Sequence, residues 1–304
     1  MRLLRRILML LVVVVVTLAA NAYFVDREQR SAAPFFGGHV LQLDGPDLNV
    51  REYGPPGDRA VVLLHGYSAS IEWWEKVAPE LARTHRVIAI DLVGHGGSEA
   101  PRDPAQYGAT GQAAAVRRAL DALGVRHALL VGHSMGGHIA TAVAEAEPGR
   151  VDRIVVSDTY GASGLKAMPA LGSLACWPLI GPAADRLRGV DAITDSALQA
   201  GFAPGYPVPE LAHRSLKQLT HTGVCDSTAG DELNAAKPVA EQLAGLGKPV
   251  LVVWGAQDVL TPTGTNVQRY TEAGLPPRII AGSGHSPMVE KPQDFLAAVS
   301  DFLK

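Results

Sequence analysis

The chain has 304 residues, of which 47% are hydrophobic and 19% charged, the composition of a globular protein with a sizeable core. Its formal net charge of -3 is close to balance, and its one basic cluster, Arg2, Arg5 and Arg6, precedes an apolar run. We therefore expect no nucleic-acid partner, because nucleic-acid-binding surfaces are strongly basic.

The first predicted element is a membrane-directed segment at residues 1–25, whose apolar run 7–25 contains only two polar residues, Thr17 and Asn21. The arginines before the run indicate that the rest of the chain leaves the cytoplasm. Two outcomes remain open. An uncleaved signal-anchor, which we favour, would give a single-pass cell-membrane protein with its folded domain outside the cytoplasm. A signal peptide cleaved near Ala22 would instead give a secreted or periplasmic protein.

Residues 26–47 form a polar connector and a first strand, after which strand patterns alternate with helical patterns. The predicted strands are 40–43, 48–53, 60–64, 87–90, 128–131, 154–157, 250–254 and 278–280. Helical spacing is present at 71–84, 110–123, 135–147, 263–273 and 292–303. Short apolar runs rich in valine and isoleucine are typical of strands covered on both faces. The pattern predicts an α/β fold in which helices flank a parallel sheet, with a core of residues 48–160 and 248–304.

Residues 161–247 interrupt this alternation, with helix-like stretches near 164–175 and 208–221 and no convincing strand. Structureless loops of this length are uncommon, so we predict a helical lid that borders the site. The two cysteines, Cys176 and Cys225, lie in or near this segment without metal-binding spacing, and no metal site is expected. In an oxidising compartment they would form a disulfide; two buried free thiols are the alternative.

The strongest motif is Gly132-His133-Ser134-Met135-Gly136, which fits G-x-S-x-G where a predicted strand gives way to a helix. A serine on such a sharp turn needs neighbours without bulk two residues before and after it, and Gly132 and Gly136 supply them. The hydroxyl would then project at a helix N-terminus, where the helix dipole favours developing negative charge. This context predicts that Ser134 is a nucleophile.

A serine nucleophile requires a base, and the base requires a carboxylate that orients it. Among ten histidines His285 is the best candidate, because it follows the last predicted strand at the sheet edge where Ser134 also lies. Asp258 follows the strand 250–254 and completes the chain order Ser, Asp, His. Asp158, just past the strand 154–157, is a rival for the carboxylate.

The oxyanion that forms on attack needs hydrogen-bond donors already in position. We predict the backbone amide of Met135, next to the nucleophile, as one donor. The second is the backbone amide of Tyr67 in the loop His65-Gly66-Tyr67, which follows the strand 60–64. His65 itself is predicted to be structural.

These motifs resemble those of the α/β-hydrolase family over roughly residues 48–304. The matching segments, in the family's order, are His65-Gly66, 91–98, 132–137, 254–258 and Gly284-His285. The resemblance implies an eight-stranded, mostly parallel sheet with a lid after the sixth strand, no cofactor, and ester hydrolysis through an acyl-enzyme. It also implies that Asp91 and His95 belong to a structural turn. Because the nucleophile is a serine and not an aspartate, dehalogenase and epoxide-hydrolase reactions are not expected.

Several reactions remain open on the same triad: acyl transfer, lactone hydrolysis, carbon-carbon bond hydrolysis and perhydrolysis. A non-catalytic binding protein is a further alternative, which the complete triad disfavours. Nucleotide binding is not expected, because both G-x-G-x-x-G after the first strand and G-x-x-x-x-G-K-[ST] are missing from the sequence. Large apolar residues of the lid favour a small-molecule, partly apolar ester-like substrate: Met168, Trp177, Leu179, Phe202 and Tyr206.

Overall fold

The computed structural model describes residues 2–166, 173–177 and 180–304. Its centre is an eight-stranded sheet with the order β1-β2-β4-β3-β5-β6-β7-β8. The strands are β1 His39–Leu41, β2 Leu48–Tyr53, β3 Arg59–Leu64, β4 Arg86–Ile90, β5 His127–His133, β6 Val151–Ser157, β7 Val250–Gly255 and β8 Arg278–Ile280. Strand β2 is antiparallel to both of its neighbours, and every other pair is parallel. The predicted fold class is therefore confirmed.

Helices cover both faces of the sheet. The α-helices are α1 Arg2–Val25, α2 Ala78–Leu81, α3 Ala109–Ala122, α4 Met135–Ala146, α5 Ile180–Ala184, α6 Asp191–Gln199, α7 Glu210–Lys217, α8 His221–Cys225, α9 Ala229–Ala236, α10 Val239–Gly245, α11 Thr263–Glu272, α12 Pro287–Glu290 and α13 Pro292–Val299. Shorter 3-10 helices span Ile71–Trp74, Pro104–Gln106, Ser173–Cys176 and Asp185–Gly189. Side chains alternate along β3, so that Val62 packs in the cluster containing α3 and α4 residues and Val61 in the one containing α13 residues.

The register of the central strands brings the predicted site loops to one edge of the sheet. Leu64 of β3 pairs with Gly132 of β5, and His133 pairs with Ser157 of β6. Ser157 in turn pairs with Val253 of β7. Because these strands are parallel, the segments after them all emerge at the same carboxyl edge, where ligands bind in open α/β sheets.

The prediction of one helix over 71–84 is wrong, because the segment forms two short helices. The Ser70 hydroxyl accepts a hydrogen bond from the Glu72 amide and starts the 3-10 helix Ile71–Trp74. Pro79 occupies the first turn of α2, where its missing amide is tolerated, whereas in the interior of a longer helix it would remove a hydrogen bond.

In its described part, the segment between β6 and β7, which we call the lid, contains helices α5 to α10. Its last helices belong to the core, because Ala229 of α9 and Val239 and Leu243 of α10 are buried in the cluster that contains α4 residues. The earlier helices contact the core through both apolar and polar groups: Leu211 and Ala212 of α7 are buried in the other cluster, and Arg214 forms an ion pair with Glu72. Residues 167–172, half of the predicted helix 164–175, lie outside the described residues.

Among the lid residues predicted from the sequence, Phe202 is buried and stacks on Trp73 and on Tyr206, so it contributes to packing between lid and core. Trp177 is exposed instead. Met168 and Leu179 lie outside the residues that the structure describes. The sulfur atoms of Cys176 and Cys225 are bonded, so the structure has the disulfide alternative of the two considered from the sequence.

Helix α1 has the length and composition of a membrane span. It contains 24 residues, and its most apolar window has a mean hydropathy of 2.5 with only 6% of that window buried. A cleaved signal sequence has the same character, so these features admit both outcomes considered from the sequence. Only the C-terminal end of α1 contacts the folded domain closely, with Ala22 and Val25 buried.

Candidate active site

Ser134 lies on a strained turn between β5 and α4. Its φ is +50°, a conformation that residues with a side chain rarely adopt and that is found at nucleophilic serines on strand-to-helix turns. A β-carbon at Gly132 would overlap the backbone of Gly136 and Gly137, and one at Gly136 would overlap the Leu64 carbonyl. The two predicted glycines are therefore required by close packing. Ser134 is partly exposed, whereas the residues on either side of it are buried.

Asp258 and His285 form a buried pair. Nδ1 of His285 lies 2.8 Å from Oδ2 of Asp258, and each residue is only 4% exposed. The amides of Leu260 and Thr261 both donate to Oδ1 of Asp258 at 2.9 Å, and the Thr261 hydroxyl donates to Oδ2. Burial raises the pKa of Asp258, but the charge and hydrogen bond of His285, together with the hydrogen bonds from Thr261, outweigh burial and lower that pKa below its ordinary value.

An ionised Asp258 fixes the tautomer of His285. A carboxylate accepts a hydrogen bond from Nδ1, so the proton of the neutral imidazole resides on that atom. The opposite nitrogen, Nε2, is then free to accept a proton. The arrangement can therefore act as a general base with an oriented ring.

Asp158, the rival carboxylate, lies in the same cluster but is held differently. Its oxygens accept hydrogen bonds from the Gly255 amide at 2.8 Å and the Ser157 hydroxyl at 2.7 Å. Ligand atoms of Asp158, Asp258 and His285 all lie within 4.8 Å of one another. Complete burial, and then the negative charge of Asp258, raise the pKa of Asp158 well above its ordinary value. With the pKa of Asp158 raised and that of Asp258 lowered, Asp158 is the carboxyl group of the pair that keeps a proton more readily.

The spacing of these three side chains would also admit a cation. Nδ1 of His285 and Oδ2 of Asp258 are, however, already joined by their hydrogen bond, and Asp158 is protonated. A metal would have to displace that hydrogen bond and the proton. These three side chains are therefore better arranged to hold His285 as a general base than to bind a metal.

His133 joins the nucleophile turn to the loop of His285. Its Nε2 donates a hydrogen bond of 2.7 Å to the carbonyl oxygen of His285, and the two rings lie 4.9 Å apart. Burial lowers the pKa of His133 to about 3, so this ring is neutral. Within the described part of the chain, no hydrogen bond connects the Ser134 hydroxyl to His285. In enzymes without substrate this hydrogen bond is often long and shortens only in the reacting complex.

The segments that carry the two predicted oxyanion donors lie beside Ser134. A β-carbon built on Gly66 would come within 3.1 Å of Cβ of Ser134, so the loop before Tyr67 passes directly along the nucleophile. The hydroxyl of Tyr67 donates to the carbonyl of Val224 at 3.3 Å, which connects this loop to the lid. The amide of Met135 opens α4, where backbone N–H groups lack intrahelical acceptors.

The histidines and aspartate predicted to be structural make contacts typical of that role. His65 bonds through its two ring nitrogens to the Gly66 carbonyl at 2.8 Å and the Leu92 amide at 3.0 Å. Asp91 accepts hydrogen bonds from the amides of Ile71 and Gly97 at 2.7 and 2.9 Å, and His95 bonds back to Val93. These side chains brace loops at the carboxyl edge of the sheet.

Two residues that the sequence interpretation missed support the histidine. Thr261 bonds to Asp258 and also lies 3.3 Å from Nδ1 of His285. Glu290 accepts hydrogen bonds from the amides of Gly284 and Ser286 at about 3 Å, and from the lid amide of Ala203 at 2.8 Å. A threonine three residues after Asp258, and a lone glutamate after an apolar run, were the available signals.

The chain is similar to several hydrolases and to an uncharacterized protein. A family model described as alpha/beta hydrolase fold matches residues 59–201. The chain is 30% identical to 2-hydroxymuconate semialdehyde hydrolase of Pseudomonas sp. (strain CF600), covering 80% of this chain and 86% of the relative. It is also 30% identical to an uncharacterized protein of Mycobacterium tuberculosis (strain ATCC 25618 / H37Rv), covering 80% and 75%. The solved structure of a bacterial membrane phospholipase A matches with a TM-score of 0.69 and 26% identity, covering 99% of this chain and 97% of that one.

Proposed function

Because the chain belongs to the α/β-hydrolase family, we propose that it is a serine hydrolase that cleaves a carboxylic ester or related acyl bond through an acyl-enzyme intermediate. The observation that carries the proposal is the buried Asp258–His285 pair beside the strained Ser134 turn. In this proposal Ser134 is the nucleophile, His285 the base and Asp258 the carboxylate that orients the base.

In the proposed first step, Nε2 of His285 takes the proton of the Ser134 hydroxyl as its oxygen attacks the carbonyl carbon of the substrate. The negative oxygen that forms is stabilised by the amides of Met135 and Tyr67. The protonated His285 is stabilised by Asp258 and gives its proton to the departing alkoxide, which leaves as an alcohol. Water then attacks the acyl-enzyme by the same route, and the carboxylic acid leaves Ser134.

We further propose that the substrate has an apolar acyl chain and that α1 stays as a membrane anchor, with the catalytic domain outside the cytoplasm. The similarity to a membrane phospholipase A over nearly the whole chain, α1 included, supports both parts. The burial of Ala22 and the hydrogen bonds of Asn21 to α5 also favour the anchor, because cleavage near Ala22 would remove both residues.

Carbon-carbon bond hydrolysis is the second candidate, and the relative named for 2-hydroxymuconate semialdehyde supports it. The two reactions share a triad but differ in substrate: an ester has an alkoxide leaving group, whereas the carbon-carbon bond hydrolase must release a carbon group that takes up a proton. Only the range of substrates cleaved distinguishes them.

The test is a substrate panel for the full chain in detergent, with p-nitrophenyl esters of graded acyl length, lactones, and 2-hydroxymuconate semialdehyde. We expect ester cleavage that is strongest on medium or longer acyl groups and is lost in Ser134→Ala. Preference for the shortest esters would contradict the apolar acyl site. Cleavage of the semialdehyde alone would favour the second candidate.

A further inference from the structure

The first half of the lid presents a group of large apolar side chains to solvent. Each of its five members is between 47% and 55% exposed: Trp177, Ile180, Leu187, Val190 and Ile193. We call this group the lid patch. Single exposed apolar residues are ordinary, but several within so short a segment indicate a surface that contacts something apolar.

The C-terminal end of α1 is fixed to the helix that carries part of the lid patch. The side-chain amide of Asn21 donates to the carbonyls of Pro182 and Ala183 in α5 at 3.2 and 3.1 Å. Ala22 and Val25 are buried at the same junction. Ile180 of the lid patch belongs to α5. The end of α1 therefore lies beside the part of the lid patch that α5 carries.

The position of a bilayer around α1 follows from its length and charges. At 1.5 Å per residue its 24 residues span about 36 Å, enough to cross a hydrocarbon core of about 30 Å. Arg2, Arg5 and Arg6 mark the cytoplasmic end. At the other end Tyr23 and Phe24 are exposed, as is typical of aromatic residues at headgroup depth. The outer surface of the bilayer therefore meets α5.

The charged residues around this junction include the acidic Glu28 and Asp185, and two basic ones fit the same location. Arg27 lies 3.8 Å over the ring of Tyr23, and Arg186 is an exposed residue one position before Leu187 of the lid patch. Basic side chains next to apolar ones at a membrane surface pair with lipid phosphates while the apolar side chains enter the acyl region.

The lid patch is also connected to the proposed site. Trp177 follows Cys176, whose disulfide leads to Cys225, and the carbonyl of the adjacent Val224 accepts the hydrogen bond from Tyr67. Shortly after α6, the carbonyl of Gly201 accepts a hydrogen bond of 2.8 Å from the hydroxyl of Ser286, which follows His285. The lid contacts both the oxyanion loop and the histidine loop.

We propose that the lid patch docks into the outer leaflet of the bilayer that holds α1, so that an acyl lipid reaches Ser134 directly from the membrane. The docking itself requires only the anchor and the exposed side chains. The substrate part rests on the proposed function. The occupant of this surface is thus a phospholipid bilayer.

Trp177 provides a direct probe, because the other three tryptophans, Trp73, Trp74 and Trp254, are buried. The full chain would be reconstituted in phosphatidylcholine-phosphatidylglycerol vesicles that contain lipids with a doxyl quencher near the headgroup end or the methyl end of the acyl chain. We expect tryptophan fluorescence to be quenched, more by the shallow label, and the quenchable part to be lost in Trp177→Phe. Equal quenching of both proteins would overturn the proposal, as would a purified chain that begins at Tyr23.

A second variant links docking to turnover. Leu187→Ser with Ile193→Ser should lower hydrolysis of a long-chain ester embedded in vesicles about tenfold, because two apolar side chains lose contact with lipid. Its rate on a soluble short-chain ester should be unchanged. Ile279→Ser is the matched control, since Ile279 is 49% exposed on the edge strand β8, outside the lid.

An unchanged rate on the vesicle ester in the double variant would overturn lipid delivery through the lid patch. If the wild type cleaves no ester at all, the proposed function fails, but the quenching of Trp177 still decides whether the lid patch enters the bilayer. The two failures are therefore distinguishable.

Discussion

Replacing each carboxyl group of the buried pair by its amide separates their roles. Asp258→Asn removes the charge that His285 requires, and the amide N–H of asparagine can donate to Nδ1, which favours the wrong tautomer of the ring. We therefore expect a fall in kcat of about 10³–10⁴, equivalent to about 4–5.5 kcal/mol of barrier. Asp158→Asn exchanges a neutral acid for a neutral amide of the same shape. The asparagine oxygen can still accept from the Gly255 amide, and its nitrogen can donate to the Ser157 hydroxyl once that hydroxyl turns to accept, so we expect kcat within about threefold of the wild type.

The same pair makes a prediction about stability and pH. The folded-state pKa of Asp158 lies above its unfolded value of about 3.8, so the folded chain retains a proton that the unfolded chain releases. Above pH 4 this group therefore costs about 1.4 kcal/mol of folding free energy per pH unit, until the pH reaches its folded pKa. Asp158→Asn has no such proton, so it should unfold at a higher temperature than the wild type at pH 7, with the difference shrinking towards pH 4.

The assays are initial rates on a p-nitrophenyl ester at pH 8 and thermal unfolding of the full chain in detergent between pH 4 and pH 7. Both variants should retain the wild-type fold. A large loss of kcat in Asp158→Asn with little loss in Asp258→Asn would reverse the assignment of the carboxylate. A stability difference that does not change with pH would refute the neutral state of Asp158.

Three further changes test the framework around the site. Glu290→Gln should lower kcat about tenfold and also lower the unfolding temperature, because an amide nitrogen replaces one of the two oxygens that accept hydrogen bonds from the backbone amides of Gly284, Ser286 and Ala203. An unaltered kcat would show that the His285 loop does not need this carboxylate. Gly136→Ala should lower activity at least about a hundredfold, since a methyl group there would push the turn away from the Leu64 carbonyl and misplace Ser134; Gly149→Ala, where nothing lies within 4 Å of the added carbon, is the matched control. The double variant Cys176→Ser, Cys225→Ser should lose about 4 kcal/mol of folding free energy, because the disulfide restricts the unfolded chain by joining residues 49 positions apart. Equal unfolding midpoints with and without reductant in the wild type would contradict this.

The strands could be predicted because each one has a recognisable local pattern of side chains. The predicted strands 48–53 and 278–280 coincide with β2 and β8, since apolar residues covered on both faces and the turn residues around them are visible in the sequence. The break in the helix 71–84 was not predicted, although Pro79 indicated it. The ion pair of Glu72, in the first of the two helices, with Arg214 of the distant lid could not be predicted from the local pattern either.

The candidate site shows the same division. Ser134 could be assigned from a local motif, whereas Asp158 and Asp258 both follow strand ends and look alike in sequence. What distinguishes them is the contact of Asp258 with His285 across 27 positions, and the burial of Asp158 against that charge. The contact of Glu290 with Ala203, 87 positions away, likewise depends on how the lid folds back on the core. The residue pattern within one segment does not indicate contacts between residues so far apart in the sequence.

The central claim is that Ser134 is the nucleophile, and covalent labelling tests it most directly. The full chain would be treated with a fluorophosphonate and digested, and the modified peptide identified by mass spectrometry, with Ser134→Ala in parallel. We predict one adduct, on Ser134, that is missing from Ser134→Ala and forms slowly in His285→Ala. Labelling that persists in Ser134→Ala, or a folded wild-type chain that takes up no label, would contradict the account.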